Sequence, residues 1–250
     1  MGLDVEMVIY HHYYEVLDLA EGLFHDIFSR VQTECAAYVA AVYKQFPMPA
    51  VQFSVSADTI NTLKIGVVEE GIESGDLYGA VVRNRTVPSL RLGFKRAIAL
   101  LNSSRSAAEQ VSDMEDVGTT DERALGVLIR ARYGVDFYII DKYPAKVRPF
   151  YTMPAPEDPM FSNSFDMFLR GEEISSGAQR VHDSAKLLSR SKELGVDVAP
   201  LMDYVNSFKL GAWPHGGFGV GLERLVMLFL GLKNIRMASM FPRDPKRVTP

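Results

Sequence analysis

Cysteine is almost absent from this 250-residue chain. Cys35 stands alone, which excludes a disulfide framework and any zinc site built from cysteines only. Long apolar runs are missing too. The longest, Leu225 to Leu232, is bounded by Arg224 and Lys233 and falls far short of the about 20 residues that cross a bilayer. The first seven residues carry Asp4 and Glu6, the wrong sign for a secretory leader, and Glu at position 6 breaks the myristoylation pattern. An excess of positive charge is lacking: 27 Lys and Arg against 31 Asp and Glu give −4. That excludes a broadly cationic nucleic-acid coat, though not a local basic patch. These absences predict a soluble, cytoplasmic protein with no membrane partner.

Common catalytic signatures are also lacking. There is no Walker A loop, no His-Glu-x-x-His and no Gly-x-Ser-x-Gly elbow, and Gly216, Gly217, Gly219 and Gly221 do not fit the dinucleotide fingerprint. What is present is an ordinary globular composition, 47% hydrophobic and 23% charged, too apolar for disorder. A chain of this length buries about 70–75% of its extended surface and needs no staple.

Gly2 to Tyr10 alternates, with Asp4 and Glu6 on one face of a predicted strand. Apolar residues at three- and four-residue spacing predict one long helix from Tyr13 to about Tyr43, ended by Pro47 and Pro49. Residues 50 to 118 are hard to read: short apolar pieces at Ile65–Val68 and Gly79–Val82, then a polar loop around a short helix from Asn102 to Gly118. Thr119 and Glu122 suggest a capping box for a helix through Arg132, ended by Gly134. Strands are expected at Val135–Ile140, Arg148–Met153, Ser164–Leu169 and Ser175–Val181. Helices should follow at Asp183 (as N-cap) to Leu194 and at Pro200–Phe208, then a Gly-rich strand His215–Gly221 leading into a helix Leu222–Leu230. Consecutive strands without regular intervening helices predict an α+β fold, an antiparallel β-sheet flanked by helices.

Three segments could carry chemistry. In Ser162 to Arg180, Asp166 and Glu173 lie on two strands joined at Arg170-Gly171, where hard oxygen ligands could hold magnesium bridging nucleotide phosphates. Arg180 could clamp a carboxylate bidentately, with Ser176 four residues before it. From the residues alone, a charged sheet face with internal ion pairs is the plainer reading. In Gly216 to Arg224, alternate glycines allow close backbone approach. Arg224 at a helix start is unfavourable with the helix dipole unless an anion binds nearby; a packing strand with a salt-bridged Arg224 explains the same residues. In Gly2 to Met7, Asp4 and Glu6 could hold an ammonium group or a metal, or simply face solvent.

Together these segments resemble the catalytic domain of class II aminoacyl-tRNA synthetases, in particular the eukaryotic cytosolic aspartyl enzymes. Gly2–Met7 is similar to the end of the family's motif 2, and Gly216–Arg224, running on to Pro250, to its motif 3. Phe137–Pro144 and Arg148–Pro154 also fit. Asparaginyl enzymes are the nearest competitor, with Gly-Gly-Ser-Met-Arg in place of Ser176-Gly-Ala-Gln-Arg180.

The resemblance implies an aspartate–tRNA ligase. L-aspartate and ATP form aspartyl-adenylate, and the aspartyl group passes to tRNA(Asp). It implies that Asp166 and Glu173 hold Mg2+ with ATP. Asp4, Ser176, Arg180 and His215 would line the aspartate site, with Arg180 on the side-chain carboxylate and Asp4 on the ammonium. Gly221, Leu222, Glu223 and Arg224 would form the ATP wall.

The resemblance covers about 1–48 and 90–250, so 50–89 is expected to be an insertion. Motif 1, most of motif 2 and the N-terminal anticodon-binding OB domain have no counterpart. It therefore implies an incomplete catalytic core, a homodimer only in the full-length enzyme, no activity for these residues alone, and an uncovered sheet edge at Gly2–Tyr10. A non-catalytic scaffold is the competing class of function; the joint presence of Asp166, Glu173, Ser176, Arg180 and Arg224 speaks against it.

Overall fold

The computed structural model describes residues 1–63, 65–68, 80–83, 89–246 and 248–249. The strands are β1 (Gly2–Val8), β2 (Gly66–Val68), β3 (Ala80–Arg83), β4 (Ser89–Gly93), β5 (Phe137–Asp141), β6 (Ser164–Leu169), β7 (Glu172–Arg180) and β8 (His215–Gly221). The α-helices are α1 (Tyr14–Glu34), α2 (Ala36–Gln45), α3 (Ala57–Leu63), α4 (Phe94–Asn102), α5 (Thr119–Tyr133), α6 (Ser184–Glu193), α7 (Met202–Ser207) and α8 (Leu222–Leu230). Parts of the expected 50–89 insertion, 69–79 and 84–88, lie outside the described residues. So does Gly79, the first residue of one of the two short apolar pieces.

All eight strands form one sheet in the order β1-β8-β7-β6-β5-β4-β3-β2. The α+β architecture is as expected, but the sheet is mixed. β4 runs parallel to β5, and β2 parallel to β3, while the other neighbours are antiparallel. The chain leaves β4 through α4 and returns through α5 to β5, a crossover of the kind parallel pairing requires. The polar stretch 102–118 between those helices hides it in the sequence.

Two layers cover the sheet unequally. On one face α1 and α8 seal a core containing Val16, Leu17, Phe24, Phe28, Phe165, Phe218, Leu225 and Phe229. On the other face α4 and α5 pack Ile98, Leu101, Leu125 and Ile129 onto Leu90, Leu92, Tyr138, Ile140 and Phe168, and α5 also reaches the start of β7. Over the rest of β7 and over β8 and β1 neither α4 nor α5 covers this second face. β1 is a strand, as the alternating start of the chain predicts, and among the described residues it is the sheet edge, paired only with β8, as the resemblance implies.

Three local expectations need correction. The single long helix breaks at Cys35 (φ −104°, ψ 15°) between α1 and α2. Thr33 Oγ1 bonds back to the Ser29 carbonyl at 2.9 Å, an interaction that bends helices. The Arg148–Met153 segment is not a strand: Pro149 and Pro154 offer no N–H, the Thr152 N–H turns back to the Pro149 carbonyl, and pairing shrinks to isolated bridges Thr152–Arg180 and Pro154–Ser162. The Thr119/Glu122 capping box does not form. Gly118 is the N-cap and no side chain caps it, because Glu122 turns towards the sheet instead. Gly134 (φ 75°) does end α5, and the Asp183 side chain does cap α6, accepting from Lys186 N–H at 2.7 Å.

Candidate functional site

Residues directly opposite in an antiparallel ladder share a face, so the registers list the open face row by row. Asp4 sits opposite Gly219, Gly219 opposite Ser176, and Ser176 opposite Asp166. The next row holds Glu6, Gly217 and Ala178, and the one beyond it Val8, His215 and Arg180. Gly2 and Gly221 form the row on the other side. A register shift between Met167 and Phe168 sets Glu173 opposite Phe168. That bulge turns Glu173 onto the same face as Asp166 and Ser176, three residues from Ser176 where plain alternation would not place it.

The glycines of β8 are the floor of this face. A Cβ at position 219 would sit 3.0 Å from Asp4 Oδ1, and one at 217 would sit 2.5 Å from Glu6 Cδ. The acidic side chains of β1 therefore reach across β8 towards β7. Charge is distributed in pairs. Arg180 donates through Nε to Glu6 Oε1 at 3.1 Å, with the Tyr151 ring 5.3 Å away. Arg148 donates to Asp166 Oδ2 at 2.5 Å and lies over the Tyr143 ring at 3.8 Å. Arg224 reaches Glu172 at 3.6 Å, and Glu172 also holds Arg123 at 3.0 Å.

The pairing is incomplete. Asp166 Oδ1, Arg148 Nε and Arg224 Nε are buried atoms without a hydrogen-bond partner. Burial, then the neighbouring Asp166 carboxylate, raises the Glu173 pKa. Burial, then Glu173 and Asp166, pushes Glu122 up to about 7. Carboxylates that repel one another in a half-buried place are stabilised by a cation. Asp166 and Glu173 fit magnesium, which needs only one or two carboxylates when phosphates supply further ligands. Among the described residues no group of three or more His, Cys, Asp or Glu could hold a metal by itself.

The structure thus brings Asp4, Asp166, Glu173, Ser176, Arg180 and His215 to one face. His215 lies beside Arg180, its Nδ1 2.9 Å from the Trp213 carbonyl and its ring stacked on Phe208 at 5.9 Å. Gly221, Leu222, Glu223 and Arg224 follow at the junction of β8 and α8. There Glu223 binds the Met1 ammonium at 2.5 Å and Leu222 packs against the core behind the sheet. Sequence reasoning gave no site role to Arg148, Glu122 or Glu172. Nothing in the sequence marked them for the site: Arg148 reaches Asp166 from 18 residues away, and Glu122 fitted a capping box.

Two cavities lie elsewhere. One of about 180 Å³ between α1, α2 and α8 is lined by Val31, Cys35, Val39 and Phe229. The other, of about 570 Å³, is lined by His11, His12, Tyr13, Glu157, Asn163 and Gln179. Neither includes a predicted site residue.

A family model described as tRNA synthetases class II (D, K and N) matches residues 1–245. The chain belongs to this family. The cytoplasmic aspartate–tRNA ligases of Rattus norvegicus and Homo sapiens are each 43% identical to it over 250 residues, covering 100% of this chain and 43% of their own length. The chain thus spans less than half the length of these curated relatives. Among solved structures, a Leishmania major protein assigned as an aspartyl-tRNA synthetase superposes with a TM-score of 0.93 at 51% identity, covering all of this chain and 49% of its own. The Entamoeba histolytica aspartyl-tRNA synthetase gives 0.80 at 42%, covering 44% of its own chain. The asparaginyl-tRNA synthetase of Pyrococcus horikoshii is more distant, with a TM-score of 0.70 at 25% identity and 50% of its chain covered. The α+β fold and the aspartyl resemblance expected from the sequence are those of its family, and no helix among the described residues is long and apolar enough to cross a membrane.

Proposed function

We propose that the protein carrying these residues is a cytoplasmic aspartate–tRNA ligase, a homodimer at full length. The observation that carries this reading is the open face itself. An anion, Asp4, and a cation, Arg180, stand two rows apart across a glycine floor, with Ser176 in the row of Asp4 and Glu6, Gly217 and Ala178 in the row between. That charge order matches the ammonium and side-chain carboxylate of one aspartate molecule.

In the first step an α-carboxylate oxygen of aspartate attacks the α-phosphorus of ATP, and the bond to the β-phosphate bridging oxygen breaks. Aspartyl-adenylate forms and pyrophosphate leaves. In the second, the terminal ribose hydroxyl of tRNA(Asp) attacks the aspartyl carbonyl and AMP leaves. The protein contributes placement and charge, with no covalent enzyme intermediate. Arg180 holds the side-chain carboxylate, Asp4 the ammonium, and His215 borders the same pocket. Arg224 faces phosphate and adenine along a wall made by Gly221, Leu222 and Glu223. Asp166 and Glu173 would hold Mg2+, which when bound neutralises phosphate charge and keeps the nucleotide in place.

Asparagine is the competing substrate. Gln179, which differs from the asparaginyl pattern, does not line the site: its side chain accepts from Asn163 on the opposite face. The similarity to aspartyl enzymes, at 42–51% against 25% for the archaeal asparaginyl one, supports aspartate. ATP–pyrophosphate exchange by the full-length protein tests the reading. Exchange should depend on L-aspartate; exchange driven by L-asparagine would overturn it.

A further inference from the structure

We propose that Glu6 is a positioning residue for Arg180, and that the missing side chain at Gly217 is what lets it reach there. The inference rests on the aspartate site described above. Glu6 lies on β1 and Arg180 on β7, with β8 between them. Two strand spacings of about 4.8 Å separate their backbones, so contact requires a side chain to cross the middle strand. It does so over Gly217, where a Cβ would lie 2.0 Å from the Val5 carbonyl oxygen, 2.5 Å from Glu6 Cδ and 2.7 Å from Glu6 Oε1.

The contact has a definite geometry. Nε and Nη2 of Arg180 both lie 3.1 Å from the same oxygen, Glu6 Oε1. The Nε/Nη2 edge of the guanidinium is thereby occupied, and the other edge, Nη1/Nη2, is left to meet a ligand. The Tyr151 ring supports the same group. An arginine fixed in this way presents a rigid pair of donors. A carboxylate accepts from both, whereas a carboxamide sets its own NH2 against one of them. Glu6 therefore acts on the choice between aspartate and asparagine without touching either.

Calorimetric titration of the full-length protein with L-aspartate, L-asparagine and ATP, compared among wild type, Glu6→Ala and Glu6→Gln, tests this. Glu6→Ala should weaken aspartate about tenfold, on the scale of one lost charge-assisted hydrogen bond, and narrow the preference over asparagine. ATP affinity should shift less than about twofold, since Arg224 and Glu173 are untouched. Glu6→Gln keeps the Oε1 acceptor and should restore most of the lost aspartate affinity. Unchanged aspartate binding in Glu6→Ala would overturn the inference, as would equal weakening of aspartate and ATP, or a Gln variant as weak as the Ala one. A full-length wild-type protein that binds ATP but not L-aspartate would remove the proposed substrate and this inference together. Wild-type binding that Glu6→Ala leaves intact would remove the inference alone.

Discussion

Two arginine–carboxylate clusters sit a few residues apart on the same sheet and differ in completeness. In the sealed one, Asp141 is fully buried. One of its oxygens accepts from the Tyr13 hydroxyl and from Lys142 N–H at 2.8 Å; the other accepts from Tyr14 at 3.2 Å and from Arg91. Arg91 also stacks on the Tyr14 ring at 3.5 Å. None of the buried side-chain polar atoms of Asp141, Arg91, Tyr13 and Tyr14 lacks a partner. In the open cluster, Asp166, Arg148 and Arg224 each keep a buried polar atom unpaired, and Glu122 and Glu173 are both pushed towards their neutral forms. Buried polar groups are normally satisfied because an unmade hydrogen bond costs about 1–3 kcal/mol. The sealed cluster ties the start of α1 to β4 and β5; the open one leaves its charges incompletely paired.

The contrast can be broken by substitution. Asp141→Asn leaves Arg91 as a buried charge without its counterion and should cost about 3–5 kcal/mol in denaturant unfolding. A loss below about 1 kcal/mol would show that the sealed cluster does not hold the fold.

His25 offers a sealed group that reports through pH. It packs against Phe53 and Phe137 and bonds Ser89, and burial lowers its pKa from 6.5 to about 4. Glu21 lies 3.9 Å away, but burial outweighs that attraction, so the ring is neutral in the fold. A depressed histidine pKa contributes stability that is present above about 6.5 and lost as pH falls through about 4. Wild type should therefore lose about 3 kcal/mol more than His25→Leu over that interval. Parallel pH profiles of the two would contradict the assignment.

The open cluster should behave in the opposite sense. Glu173→Gln removes a charge that its surroundings disfavour, so stability should change by less than about 1 kcal/mol. Magnesium–ATP binding should weaken by at least tenfold, about 1.4 kcal/mol, as read by titration calorimetry. A large loss of stability with intact nucleotide binding would reverse the roles of the two clusters. The smallest effect is expected at Tyr38, 77% exposed on α2. Tyr38→Ser should move stability by no more than about 0.5 kcal/mol, checked by thermal unfolding.

The elements that carry the proposed site were legible because two strands and one helix kept a strong local pattern, whereas the roles of their residues came from the family resemblance. β6, β8 and α8 fall where periodicity and glycine spacing place them, and these elements carry Asp166, His215 and Arg224. What stayed hidden depends on tertiary geometry. The bulge that turns Glu173 onto the site face leaves no mark in a single strand's alternation. Arg148 reaches Asp166 from an irregular segment whose prolines were compatible with an edge strand. Glu122 fitted a capping box by spacing, yet α5 is set by the contact of Gly126 with Gly171, where an added Cβ would come within 2.5 Å of the Gly171 Cα. That approach carries Glu122 to the acidic cluster. The crossover through α4 and α5 was obscured because β4 and α4 follow residues whose apolar pieces are too short to declare a period.

A crystal structure with a non-hydrolysable aspartyl-adenylate analogue tests the central claim most directly. The account predicts the side-chain carboxylate on the free edge of Arg180, the ammonium at Asp4, the adenosine beside Arg224, and the phosphate-mimicking group within reach of Asp166 and Glu173. An analogue seated instead in the cavity beside His11 and His12, or against the α1–α2–α8 cavity, would contradict it.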